Sequence, residues 1–299
     1  MKQWMRKGLI GLFATVAVVA LVAGAAVVRG AHRLEHAPQP VVGTLPEATG
    51  AAALARGAYL FGTLGCAGCH GDDGAGKPLW NGGRSHVDAP HIAPGPGSVT
   101  AAYRPEDWVR ALRHGIGGRG QALFGMPSVD FQHLADADLA ALVAHIRRMP
   151  PVSTRAGGRD FGPLMQVLIG LGIVPLAPDR LRQGIEPVSA VVPAATAEHG
   201  RYVAQMCVGC HRPGFEGGPI AGMPPGTPAA ADLRPLAGSA MSRYSSLAEF
   251  QALLRSGQRP DGQAVKVMPF ESLKRLDATD TAALFMYLKG LPVPKGAAG

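Results

Sequence analysis

The chain has 299 residues, enough for about two domains, and combines 47% hydrophobic residues and only 6% aromatics with 41 Gly and 26 Pro. That balance excludes a large continuous sheet. It predicts an all-α chain of short helices and long irregular loops, with a cofactor filling out the apolar core. The formal charge is +8, but Lys and Arg are scattered rather than interleaved with aromatics in a stripe, so no nucleic-acid partner is implied.

Residues 1–31 open the chain with Lys2, Arg6 and Lys7, followed by an uncharged run of 21 residues from Gly8 to Val28. A spanning helix needs roughly 20 apolar residues, whereas the core of a signal peptide has about 7–15. The length favours a retained single-pass anchor. The basic flank places the N-terminus in the cytoplasm and everything after Arg29 outside. Cleavage near Ala23–Ala26 is the alternative, and it would leave the soluble part in the same compartment, the bacterial periplasm. Residues 32–49, rich in Pro and Ala, read as a tether.

The rest of the chain repeats itself. Cys66-Ala-Gly-Cys-His70 recurs as Cys207-Val-Gly-Cys-His211, a displacement of 141. A displacement of 142 then aligns Gly120-Gln121 with Gly262-Gln263, Met126-Pro127 with Met268-Pro269, and Asp138 with Asp280. The chain therefore divides into a first unit at 50–152, an intervening segment at 153–196 and a second unit at 197–294. Each unit predicts a helix before its cysteine motif and a middle helix (105–114; 247–256). A last helix follows, and in the first unit Leu139, Leu142, Val143 and Ile146 fall on one face of it. Asp136 or Asp138, and Asp277 or Asp280, suit its first turn.

The four cysteines are Cys66, Cys69, Cys207 and Cys210. All lie in C-x-x-C-H motifs, which leaves none over for a disulfide framework. Two thiols at this spacing can form thioethers to one porphyrin edge and aim the next histidine at the iron. Two covalent haem c groups follow, with His70 and His211 as proximal ligands. The sixth ligands are assigned to Met126 and Met268, the two methionines that satisfy the repeat in a Met-Pro context. Met223-Pro224 stands too close to His211 to reach the other haem face. His114 and His133 are the competitors if Met126 fails. Along with His86, His91, His145 and His199, they otherwise read as solvated or loop residues.

Both units resemble class I cytochrome c domains, and the whole resembles the membrane-anchored cytochrome c subunits of periplasmic alcohol and aldehyde dehydrogenases. The residues that carry the likeness are Arg56-Gly57-x-Tyr59, Trp108-Val-Arg-Ala-Leu-Arg-His-Gly115, Gly125-Met-Pro127, Asp136-x-Asp138 and Met149-Pro-Pro-Val152. The resemblance implies that the carbonyls of Pro78 and Pro219 accept the Nδ1–H of the proximal histidines. Many such subunits have three haem motifs, and this chain has two.

The implied role is single-electron transfer in a periplasmic respiratory chain. The partners would be a dehydrogenase and a terminal oxidase or quinone pool, and the chain itself would not be an enzyme. A dihaem peroxidase or thiosulfate dehydrogenase, the alternative, needs one open iron, and both units keep Met-Pro. Leu164–Leu176, 13 residues with one polar side chain, is too short to span a bilayer. It reads either as a clip between the haem domains or as a docking face for a partner or the membrane surface.

Overall fold

The computed structural model describes residues 2–154, 158–188, 192–220, 223 and 226–293; Pro224 of the second Met-Pro pair lies outside them. Helix α1 (Lys2–Glu35) continues past the uncharged run by two turns. Its side chains from Gln3 to Val22 are exposed, and by length and composition it can cross a membrane. Residues expected to begin the tether are therefore helical as far as Glu35.

In the first unit α2 (Gly50–Thr63) leads into α3 (Cys66–His70) through Gly65, whose φ of 84° allows the sharp turn. Helices α4 (Pro105–His114) and α5 (Asp136–Arg148) complete it. The intervening segment forms α6 (Pro163–Gly170). The second unit repeats the order with α7 (Ala197–Val203), α8 (Val208–His211), α9 (Leu247–Ser256), the short α10 (Phe270–Leu273) and α11 (Ala278–Lys289).

The first and last helices of each unit cross in backbone contact. A Cβ on Gly57 in α2 would overlap the carbonyl oxygen of Ala141 in α5, and a Cβ on Gly200 in α7 would overlap that of Ala283 in α11. Only glycine lets the helix axes approach this closely. Around the first crossing Leu60, Trp108, Leu112, Phe131, Leu139 and Leu142 form one buried core; around the second, Phe215, Met241, Phe250, Leu254, Leu284 and Leu288 form another.

The all-α expectation needs one correction. Strands β1 (Lys77–Gly82) and β2 (Ser85–Ala89) form an antiparallel hairpin, extended by β3 (Arg159–Asp160) on the far edge of β2. Gly82 pairs with Ser85 across a two-residue turn. The cue was Asn81-Gly82-Gly83, residues that favour a tight hairpin turn, inside what reads as a glycine-rich loop. The chain is mostly helical with this small sheet attached to its first unit.

The apolar segment does not lie between the two units. Ile169 and Leu176 pack with Leu34 of α1, with Val87 and Ala122 of the first unit and with Phe161 of the intervening segment itself. The stretch just after it is what bridges the units: Gln132 and Arg182 exchange two 2.9 Å hydrogen bonds, and Arg180 donates to the Gly209 carbonyl at 3.2 Å.

Candidate haem-attachment sites

Each C-x-x-C-H motif ends in its histidine at the end of a short helix: the first is one turn, Cys66–His70, and in the second Cys207 closes a 3-10 turn that runs into α8. In the first, His70 donates from Nδ1 to the Pro90 carbonyl at 2.8 Å; in the second, His211 donates from Nδ1 to the Ala231 carbonyl, also at 2.8 Å. Both acceptors lie 20 residues after their histidine. This bond fixes the tautomer and ring orientation, so that Nε2 is the nitrogen left to bind a metal. Burial lowers the pKa of both imidazoles, with the carbonyl bond opposing it. They are therefore neutral, the form that can ligate.

Pro78 and Pro219, expected to supply these carbonyls, do not. Pro78 lies exposed on β1, paired with Asp88, and Pro219 is exposed in a loop. The bond needs an oriented carbonyl rather than a proline, and the second unit uses an alanine. Nothing in a side chain marks that position. The constant spacing of 20 is the signal, and it becomes meaningful only once the acceptor is known.

None of the four cysteines is paired in a disulfide, and burial pushes the thiols of Cys66 and Cys207 up to about 12. No cluster of three or more His, Cys, Asp and Glu that could hold a metal ion occurs among the described residues. Two thiols, one oriented neutral imidazole and an apolar surround fit haem c.

Met126 and Met268 are each half-buried against the core of their own unit. The chain reaches them by the same route. Helices α4 and α9 end at Gly115 and Gly257, with φ of 66° and 72°. Narrow turns follow, closed by the bridges Ile116–Ala122 and Gln258–Ala264. Of the alternatives to Met126, His114 is half-buried at the end of α4. His133 is buried beside the Tyr202 ring, with its pKa driven down to about 3 by burial and by Arg182 and Arg113. Exposed Met223 packs in neither core.

Three histidines expected to be solvated or in loops are buried: His91, His133 and His199. His199 belongs to a paired cluster that joins the units. Tyr59 donates to Asp280 at 2.6 Å and Tyr202 donates to Asp138 at 2.7 Å, each tyrosine reaching into the other unit. Within its own unit, Asp138 takes two hydrogen bonds from Arg56, at 2.9 and 2.7 Å, and Asp280 contacts His199 Nε2 at 2.5 Å. Burial and then the partner carboxylates hold both phenols well above their ordinary range. A shift of 143 before the motifs pairs Arg56-Gly57-x-Tyr59 with His199-Gly200-x-Tyr202, and only that shift reveals the cluster in sequence.

A second contact joins the Met126 loop to the other motif. Asp130 accepts a 2.7 Å hydrogen bond from the Gly209 amide, inside Cys207–His211. Burial raises this carboxyl to about 7, against the Gly209 bond and the charges of Arg180 and Arg182.

Residues 54–150 match the family model described as cytochrome c, so the chain carries a cytochrome c domain there, which implies haem c at the first motif. The chain is also similar to the fructose dehydrogenase cytochrome subunit of Gluconobacter japonicus, 28% identical over 258 residues, covering 80% of this chain and 52% of that protein. It thus spans about half the length of that relative.

Proposed function

We propose that the chain is a membrane-anchored dihaem cytochrome that passes single electrons from a periplasmic dehydrogenase towards a terminal oxidase or quinone pool. The observation that carries this reading is the repeated pairing of a motif histidine with a carbonyl 20 residues on, at 2.8 Å in both units. Haem c, when bound, supplies the one-electron couple. Cys66 and Cys69 would hold one group, Cys207 and Cys210 the other. His70 and His211, through Nε2, and Met126 and Met268 would hold the irons. A methionine in the sixth position raises the potential relative to a second histidine and leaves no position for substrate.

The dehydrogenase partner rests on the similarity to a dehydrogenase cytochrome subunit, and the anchor on α1. In this reading the haem units lie on the periplasmic side of the inner membrane. Visible spectra of the purified reduced protein, before and after carbon monoxide, test it. Closed irons give an unchanged spectrum. A response from about half of the haem would mean one open iron, and the role would shift to a dihaem enzyme.

A further inference from the structure

We infer that the tip of the helix–turn at 163–176 is a second membrane contact, a wedge that dips into the outer edge of the lipid hydrocarbon beside α1. The inference rests on α1 being a membrane anchor.

The argument starts from the crossing of α6 and α1. A Cβ on Gly30 would overlap the carbonyl of Gln166, and a Cβ on Gly170 would overlap that of Ala26. Four residues forward along α6 correspond to four residues back along α1, so the helices run antiparallel. At 1.5 Å per residue, that is about 6 Å of descent towards the membrane. Ala26 already lies inside the uncharged run that ends at Val28. The turn after Gly170 is therefore level with the hydrocarbon end of α1 or deeper.

The side chains there suit lipid. Leu171 is 53% exposed and Ile173 63%. No charged side chain occurs between Asp160 and Asp179. On α1 the charges begin at the exposed Arg29, at the upper end of the crossing, and the paired ones follow a turn above it: Arg33 pairs with Asp179 at 2.6 Å, and Arg159 reaches the Leu34 carbonyl at 2.7 Å and Glu35 at 3.4 Å. Polarity thus changes along α1 at the same height on both elements.

The backbone suits lipid too. An exposed turn in water needs no internal partners for its amides, but in hydrocarbon every unpaired amide is costly. At this tip the amides of Leu171, Gly172, Ile173 and Val174 donate to the carbonyls of Val167, Ile169, Leu168 and Leu168 at 2.9–3.2 Å. Pro175 has no amide hydrogen to satisfy. Continuity with the anchor selects lipid over a protein partner as the occupant.

The test uses full-length holoprotein in phospholipid nanodiscs, with a nitroxide on a cysteine introduced by Ile173→Cys, Leu164→Cys, Leu12→Cys or Leu247→Cys. All four positions are exposed. Power-saturation EPR on the reduced protein compares access of oxygen, which partitions into lipid, with access of a water-soluble nickel chelate. Leu12 is the control for the anchor and Leu247 the control for water. The expected result is an oxygen-favoured ratio at 12 and 173, a chelate-favoured ratio at 247, and a shallower depth at 164 than at 173. A chelate-favoured ratio at 173 with an oxygen-favoured one at 12 overturns the wedge and leaves the anchor standing. Protection of 173 from both reagents means a protein covers it and overturns the lipid assignment. A chelate-favoured ratio at 12 overturns the anchor and the wedge together.

Discussion

The two units share a skeleton and differ in charge. Each has the helix crossing at a glycine, the histidine-to-carbonyl bond, the narrow turn before its methionine, and a tyrosine lent to the aspartate of the other unit. What faces that aspartate differs: a guanidinium from Arg56 in the first unit, an imidazole from His199 in the second. Asp130 of the first unit reaches the second motif, while Ser272, at the corresponding position, lies beside Gly65 before the first motif. Among the described residues only the first unit has the hairpin sheet, which β3 ties to the segment leading into α6. Backbone devices that a haem site needs are duplicated, and side-chain electrostatics have diverged around them.

Breaking a shared device should hurt both units alike. Gly57→Val and Gly200→Val each push a side chain into a carbonyl of the crossing helix, and each is expected to cost about 3 kcal/mol or more, since an overpacked crossing must separate. Thermal unfolding of the two variants checks this; a cost below about 1 kcal/mol at either crossing would show that the helices can move apart.

Breaking a diverged contact should separate the units. Asp138→Ala leaves Arg56 half-buried and permanently charged, with an expected loss of about 2–3 kcal/mol. Asp280→Ala leaves His199, which can be neutral, and about 1–2 kcal/mol should be lost. Equal losses in denaturant titrations would contradict the distinction.

The Asp130 contact gives a pH dependence that belongs to one side of the interface. Its carboxyl is raised from 3.8 to about 7, so the folded chain keeps a proton that the unfolded chain has released between those values. Stability from this group is full below pH 4, falls as pH rises towards 7, and is flat beyond. Asp130→Asn is expected to flatten that slope between pH 4 and 7 in unfolding midpoints. An unchanged slope would show that the group is ionised throughout.

The smallest effect is expected at Pro90. Pro90→Ala retains the carbonyl and reproduces the residue that the second unit already has at this position, so the reduced spectrum should stay as it is and stability should fall by less than about 1 kcal/mol. A spectral change would mean that the proline ring itself orients His70.

Much of this was legible in the sequence, and what was missed has a common cause. The middle helices begin and end where the pattern placed them, at 105–114 and 247–256, because glycines and acidic first turns are local signals. The aspartates of the last helices sit in their first turns, where Asp277 also caps the Asp280 amide at 2.7 Å. The histidine acceptors were misplaced because a backbone carbonyl leaves no mark on residue type. His133 was misread because Tyr202 of the other unit covers it, which no single-unit pattern contains, and His199 because its partners Asp280 and Tyr202 come together only in the folded second unit. The hairpin went unseen because Asn81-Gly82 sits among other glycines and was read as loop.

The most direct measurement is the intact mass of the chain, matured in a host that attaches c-type haem, beside a variant carrying Cys207→Ser and Cys210→Ser. The expected masses are the polypeptide with two haems for the natural chain and with one for the variant. A natural chain carrying a single haem, with a mass increment unchanged by the double substitution, would contradict the second site and the dihaem account built on it.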